Sequence, residues 1–404
     1  MIGLGRHSFA DPYQTRKLRG GIKWCTVCDN CLELLIQQSK FGCCTYDKRF
    51  TDTLVQTRKE RAISGSLIPD KEHRMKLSVF TVLYKDRPLG EVLDLLRAKG
   101  VTHAEIGSGG FIGKEHCDPA RLLADERARN AFADEFKRRD MGIAALSCHG
   151  NPVHPQRRLA EAYHRDIKET IDLASLLGVD RIVTFSGCPG DCEESKYPNW
   201  PVSPFPEDFQ AVLAWQWEKK LVPYWKKMGK YAEDKGVKIA MEMHGGYSVH
   251  SPATAIRMCR ETGLSSIGAN LDPSHMWWQG IDPAQAARYL GKEGCLFHFH
   301  AKDAAVDQNF ASYYGLTDMQ SFGTVYGRAW QFRTVGFGHG LKDWADIMAA
   351  LRAAGYDGIV SVEHEDSYMS IGEGLDRAVA NLKQVMMFEP GASPKAFAID
   401  GRFV

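Results

Sequence analysis

From Leu77 onward, short apolar runs alternate with longer stretches in which apolar residues recur every three or four positions. Short apolar runs bounded by turn residues predict buried strands, and the three-to-four spacing predicts amphipathic helices. Strands are expected at 77–83, 102–106, 143–147, 181–185, 237–241, 266–271, 295–299 and 359–362. Pro88 opens a helix in which Leu89, Val92, Leu93 and Leu96 share a face and which Gly100 closes. Tyr163, Ile167, Ile171 and Ala174 mark another, running to Gly178, and Ser251-Pro252 supplies the N-cap and first-turn proline of a third. Trp344, Ile347, Met348 and Leu351, then Leu375, Val379 and Leu382, mark the last two. An aromatic-rich helix (Phe209, Trp215, Trp217, Trp225, Tyr231) contains Pro223, which should kink it or mark a junction. Eight strands alternating with eight helices is the count of an α/β fold of the (β/α)8 TIM-barrel kind. Two stretches interrupt the rhythm: a Pro/Gly-rich loop at 186–206, and a loop of about forty residues at 301–340 holding Tyr313, Tyr314, Trp330 and Arg333. Loops that long usually serve as lids or subunit contacts.

Four of the runs stop at a carboxylate or an imidazole: Met241-Glu242, Leu271-Asp272, Phe299-His300 and Val362-Glu363. A TIM barrel keeps its chemistry at the C-terminal ends of its strands, so side chains ending strands five to eight would converge. Glu242, Asp272, His300 and Glu363 form a hard oxygen/nitrogen set that suits Mn²⁺, Mg²⁺ or Co²⁺ better than a thiolate-loving ion. Singly, a strand-end carboxylate is more often a surface or salt-bridged residue; the joint occurrence carries the inference. His298 and His300 alternate about Phe299 and therefore share a face.

Composition narrows this little. The 404 residues, 44% hydrophobic and 25% charged, are those of a globular protein with a full core. A net charge of +1 provides no basic field for nucleic acid. The chain shows no apolar run of the roughly 20 residues needed to cross a bilayer, and its first residues lack the apolar core of a signal peptide. A cytoplasmic location, with no membrane and no nucleic-acid partner, is the expectation. Of 11 cysteines, five (Cys25, Cys28, Cys31, Cys43, Cys44) fall within the first 44 residues. Cys25-x2-Cys28-x2-Cys31 followed by Cys43-Cys44 has iron–sulfur or zinc spacing.

With its flanks, Gly3-Leu-Gly-Arg6, Ala10-Asp11-Pro12 and Lys23-Trp24-Cys25, that segment resembles the C-terminal tail of flavin oxidoreductases related to old yellow enzyme, over about 60 residues. The resemblance implies an Fe-S cluster held by Cys25, Cys28, Cys31 and Cys44, but the flavin barrel itself is missing from the chain. The segment is then the joined tail of a neighbouring gene, a small metal module, or a disordered appendage; Met75 running straight into a strand favours the first. The expected division is a Cys-rich extension and linker at 1–74, a barrel at 75–390 and a tail at 391–404.

The barrel's motifs are Glu242-x-His244, Asn270-Leu-Asp272-Pro-Ser-His275, His298-x-His300-x-Lys302-Asp303, Gly355-Tyr-Asp357-Gly and Ser361-Val-Glu363-His-Glu365-Asp366. They resemble the xylose isomerase-like sugar phosphate isomerase/epimerase family over about residues 75–388. The resemblance implies one divalent metal on Glu242, Asp272, His300 and Glu363, with Glu242 and Glu363 also acting as acid and base. It implies substrate contacts at His275 and Arg333, and places His300 as ligand with His298 behind it. A metal that chelates a carbonyl and its neighbouring hydroxyl acidifies the C–H between them, and carboxylates on opposite faces of the resulting enediolate can remove and return a proton. His149, at the third strand end, is a further candidate substrate contact. His244 either reaches the site or braces its loop. Trp277, Trp278 and Trp330 either stack on a sugar ring or cover the barrel mouth or a subunit contact. Family barrels commonly pair, so a homo-oligomer is expected.

Rival readings remain. A metal-dependent lyase would use the same base to expel the aglycone of a 3-keto-glycoside. An endonuclease IV-like nuclease would need an Asp-x-His pair where this chain has Val335-Gly-Phe-Gly-His339. A non-enzymatic metal-binding subunit is the third.

Overall fold

The computed structural model describes residues 75–389. Cys25, Cys28, Cys31 and Cys44, the linker and the C-terminal tail lie outside the described residues. The barrel strands are β1 (Lys76–Phe80), β2 (His103–Gly110), β3 (Gly142–His149), β4 (Arg181–Phe185), β5 (Lys238–Glu242), β6 (Ile267–Leu271), β7 (Leu296–Ala301) and β10 (Ile359–Val362). They close in the order β1-β10-β7-β6-β5-β4-β3-β2, every pair parallel. The chain is a TIM barrel.

Helices fill the connections: α1 (Leu89–Ala98), α2 (Pro119–Ala124), α3 (Glu126–Lys137), α4 (Arg157–Leu177), α5 (Asp208–Trp215), α6 (Val222–Asp234), α7 (Pro252–Thr262), α8 (Pro273–Trp278) and α9 (Pro283–Lys292). After the small hairpin strand β8 (Asp303–Val306) come α10 (Gln308–Tyr314), β9 (Trp330–Arg333), α11 (Leu341–Ala353) and α12 (Ile371–Val385). Sequence explains the helix ends. Ser251 caps α7 in a capping box with Thr254, and Gly178 and Gly263 terminate α4 and α7 at φ +69°, where a side chain would be strained. The core lies between the outward faces of the strands and the inward stripes of the helices. Val92, Leu93 and Leu96 of α1, Ile167, Ile171 and Ala174 of α4, and Leu375 and Leu382 of α12 are all fully buried there.

Pro223 marks a junction, one of the two outcomes that the sequence allows: a π-helical turn, Gln216–Leu221, links α5 to α6, and the proline sits in the first turn of α6. There its missing N–H costs little. The structure departs from the sequence expectation at 301–340, where the expected loop contains two short strands and a helix. β8 continues from β7 after one residue and pairs antiparallel with β9, from Asp303 opposite Arg333 to Val306 opposite Trp330. The base of this excursion is gathered by the buried Asp303 carboxylate. It accepts backbone N–H bonds from Gly336, Gly338 and His339 and the indole N–H of Trp344.

Candidate active site and metal centre

Glu242 is the last residue of β5, Asp272 follows β6, His300 lies in β7 and Glu363 follows β10. One ligand atom from each falls within 4.8 Å of all the others. Each is oriented from behind. Asp272 is the N-cap of α8: its Oδ1 accepts the Ser274 N–H at 2.8 Å, which leaves Oδ2 facing the other three residues without a hydrogen bond. Glu242 Oε2 is hydrogen-bonded to His149 Nε2 at 2.8 Å.

His300 is positioned by a residue that the sequence reading missed. Glu105 of β2, fully buried, lies 2.9 Å from His300 Nε2 and 3.0 Å from His298 Nε2, and its Oε1 also accepts from the Ser147 hydroxyl. An ionised carboxylate only accepts, so Nε2 of His300 carries a proton and its Nδ1 faces the ligand cluster. In the metal-free protein burial opposes protonation, but the Glu105 and Glu242 charges outweigh it and raise this imidazole well above its usual value. Nδ1 would then exchange its proton for a metal ion. That Nδ1 has no hydrogen-bond partner, although Glu363 and Glu242 oxygens stand 3.2 and 3.4 Å away. His298 and His300 thus share the Glu105 carboxylate. The only signal in sequence was a carboxylate between Ala104 and Ile106 inside the expected strand Thr102–Ile106.

Lys302 was quoted in a motif but given no role. Its buried ammonium lies 2.9 Å from Glu363, 2.9 Å from Glu365 and 3.2 Å from Asp272 Oδ2, and 4.5 Å from the Phe332 ring centre. Burial acts to raise the Glu363 carboxyl, but the Lys302 ammonium and His300 outweigh it and push Glu363 down to about 2. Burial likewise opposes ionisation of Glu242, yet the charge of His300 and hydrogen bonds from His149 and His275 hold it well below the carboxylate range. Asp272 goes the other way. Burial first, partly offset by Lys302, then the Glu242 and Glu363 charges push it up to about 7. Three crowded carboxylates, an orphaned carboxylate oxygen and an orphaned imidazole nitrogen are a donor set that a divalent cation would satisfy. The residues fit the group.

The other sequence candidates divide. His275 Nε2 stands 3.4 Å from Glu242 and 3.7 Å from Asp272, and the His244 ring lies 3.9 Å from that of His275. His149, His244 and His275 thus border the centre. Phe185 packs against His149 and His244 and stacks on Tyr247 at 4.2 Å, lining the β4–β5 side with aromatic surface. Arg333 pairs with Asp366 at 3.2 Å and lies over the Tyr368 ring. Trp277 stacks on His339 and meets Trp344 edge-on, while Trp278 and Trp330 stack on each other at 4.8 Å. His339, the residue a nuclease would need beside an aspartate two positions earlier, is bonded to Asp303.

Known proteins resemble this chain in sequence or in fold. A family model described as a xylose isomerase-like TIM barrel matches residues 93–385. The uncharacterized protein YfiH of Bacillus subtilis strain 168 is 36% identical over 317 residues, covering 77% of this chain and 99% of its own. Among solved structures, the probable 3-DHS dehydratase AsbF of Bacillus anthracis superposes with a TM-score of 0.53 at 16% identity, over 76% of this chain and 99% of its own. A D-tagatose 3-epimerase-like protein does so at 0.51 and 16%, over 77% and 98%. The IOLI protein with a binding zinc atom gives 0.53 and 19%, again over 77% and 98%. At such identities these three structures share the fold with this chain.

Proposed function

The chain belongs to the xylose isomerase-like TIM-barrel family, and from that premise we propose that it is a divalent-metal-dependent isomerase or epimerase of a ketose or keto-sugar, acting by proton transfer next to a carbonyl. One observation carries this: Glu242, Asp272, His300 and Glu363 present converging donors, two of them without hydrogen bonds, at four adjacent strand ends. A divalent ion held there would polarise the substrate carbonyl and acidify the neighbouring C–H. The protein's own groups do the rest. Glu242 and Glu363, both held ionised at rest, come from strands separated by β6 and β7 and flank the substrate. One carboxylate takes the C–H proton, and the other returns to the opposite face a proton that it first receives from its own neighbour, His149 for Glu242 or the Lys302 ammonium for Glu363. His149, bonded to Glu242, fixes that carboxylate and lies where it can exchange a proton with it. Lys302 holds the Glu363 carboxylate in place.

The test is incubation with ketoses and 3-keto-glycosides in D2O, with and without Mn²⁺, Mg²⁺ or Co²⁺, following C–H exchange, epimer formation and elimination. Exchange should require metal. Glu242→Gln and Glu363→Gln should each lower it by about 10²–10⁴-fold, the scale of a lost general acid or base, while circular dichroism stays native. Unimpaired exchange in both variants would overturn the mechanism.

The lyase outcome on a 3-keto-glycoside is the second reading, since it needs the same proton abstraction. An open cleft of about 490 Å³, lined by Trp200, Leu316, Arg257, Gln279 and Trp278, adjoins the site through Trp278, which donates its indole N–H to His275. Elimination products in the same incubation decide between the two.

A further inference from the structure

We infer that Glu365 makes this site selective for uncharged substrates, neutral ketoses or keto-glycosides, and against phosphorylated or carboxylated ones. The inference rests on the keto-sugar reading of the site and narrows its substrate class.

Lys302 is the obvious cation to receive an anionic substrate, since its buried ammonium stands beside Asp272 and Glu363. Its ammonium donates hydrogen bonds to Glu363 and Glu365 and stands in an ion pair, 3.2 Å away, with Asp272 Oδ2, so three carboxylates surround the one cation. Asp272 and Glu363 are metal-ligand candidates. Glu365 has no such duty, and its side chain is 49% exposed although it reaches inward to a lysine only 2% exposed. It therefore closes the solvent side of the ammonium with a negative charge. Arg333, another cation on this side of the barrel, pairs with Asp366.

A phosphate or carboxylate approaching between β7 and β10 would meet Glu365 first, and like charges set face to face are a recognised means of rejecting a wrong partner. A neutral polyol pays no such cost. It finds acceptor oxygen on Glu365 and an aromatic wall at Phe185 and Tyr247 for its C–H face.

The experiment uses the full chain, metal-loaded, and matched probes: D-fructose and its 6-phosphate, and a 3-keto-glucoside and its uronic-acid counterpart. C–H exchange in D2O gives the ratio of anionic to neutral turnover for each pair. The wild-type protein should favour the neutral member. Glu365→Gln, which keeps size and hydrogen bonding but drops the charge, should raise the anionic-to-neutral ratio by about tenfold or more. Glu365→Asp, which keeps the charge, should retain the wild-type preference. A wild-type preference for the anionic member, or a ratio unmoved by Glu365→Gln, overturns this inference and leaves the proposed function standing. Absence of metal-dependent exchange on every probe overturns the keto-sugar reading itself, and the selectivity claim with it.

Discussion

Asp272 divides its two oxygens between fold and chemistry. Oδ1 caps α8, and Oδ2 joins the ligand cluster. Asparagine keeps a capping oxygen but not the charge, so Asp272→Asn separates the two duties. The folded Asp272 carboxyl lies at about 7, above the ordinary value of about 3.9. In the metal-free protein its contribution to stability is therefore complete below about pH 3.9 and is lost as the pH rises through 7. Asp272→Asn should raise the metal-free melting temperature at pH 8, by about 2–4 °C per kcal/mol recovered, and should not raise it at pH 4. The increase in melting temperature on adding Mn²⁺ should disappear in the variant. Thermal denaturation at both pH values, with and without metal, checks all three. At this scale the sequence was informative wherever a residue's role follows from its own strand: Glu242, Asp272, His300 and Glu363 each end an apolar run. Glu105 and Lys302 were opaque because their roles depend on what faces them. Glu105 meets His298 and His300 across 193 and 195 residues of chain, a pairing that only barrel closure creates.

The elements were legible to within a few residues where periodicity is strong. β4 and β10 begin and end where the apolar runs do, while β2 and β3 extend further, through polar and glycine residues carried along by their parallel neighbours. The hairpin of β8 and β9 escaped notice because its strands have four residues each and β8 follows β7 with no turn signal. Helix packing shows the same dependence on context. Gly291 of α9 has an ordinary helical backbone, yet a Cβ there would lie 2.3 Å from the Ala354 Cβ at the end of α11. Glycine is present for close approach rather than for conformation. Gly291→Ala should cost about 1–3 kcal/mol by overpacking, despite alanine's better helix propensity, and a urea titration at unchanged m-value would show it.

For the whole molecule, barrel closure puts chemistry at one end of the strands and leaves the other end to stability, and His103 at the start of β2 belongs to the second kind. Burial, helped by Lys76, lowers its imidazole to about 4, against an ordinary value of about 6.5. Protonation thus opposes folding: the contribution is complete above pH 6.5 and is lost as pH falls through 4. His103→Gln should reduce the loss of unfolding free energy between pH 6.5 and 4 by about 1–3 kcal/mol, less than full burial would give because the ring is partly exposed, as urea titrations at the two pH values would show. The eightfold alternation made this architecture readable from the chain alone, whereas the cysteine cluster, the loudest local motif, told nothing about it. The knot of N–H donors on Asp303 has one more consequence, for how such a protein can diverge. It fixes both ends of the 304–335 excursion next to the strand that holds His300. A closed loop pays only about 0.6 kcal/mol of entropy for each doubling of its length. The tip between α10 and β9 can therefore be lengthened, shortened or rewritten by mutation without disturbing the strand that carries His300, so that descendants can vary this surface while the cluster of carboxylates and imidazole stays intact.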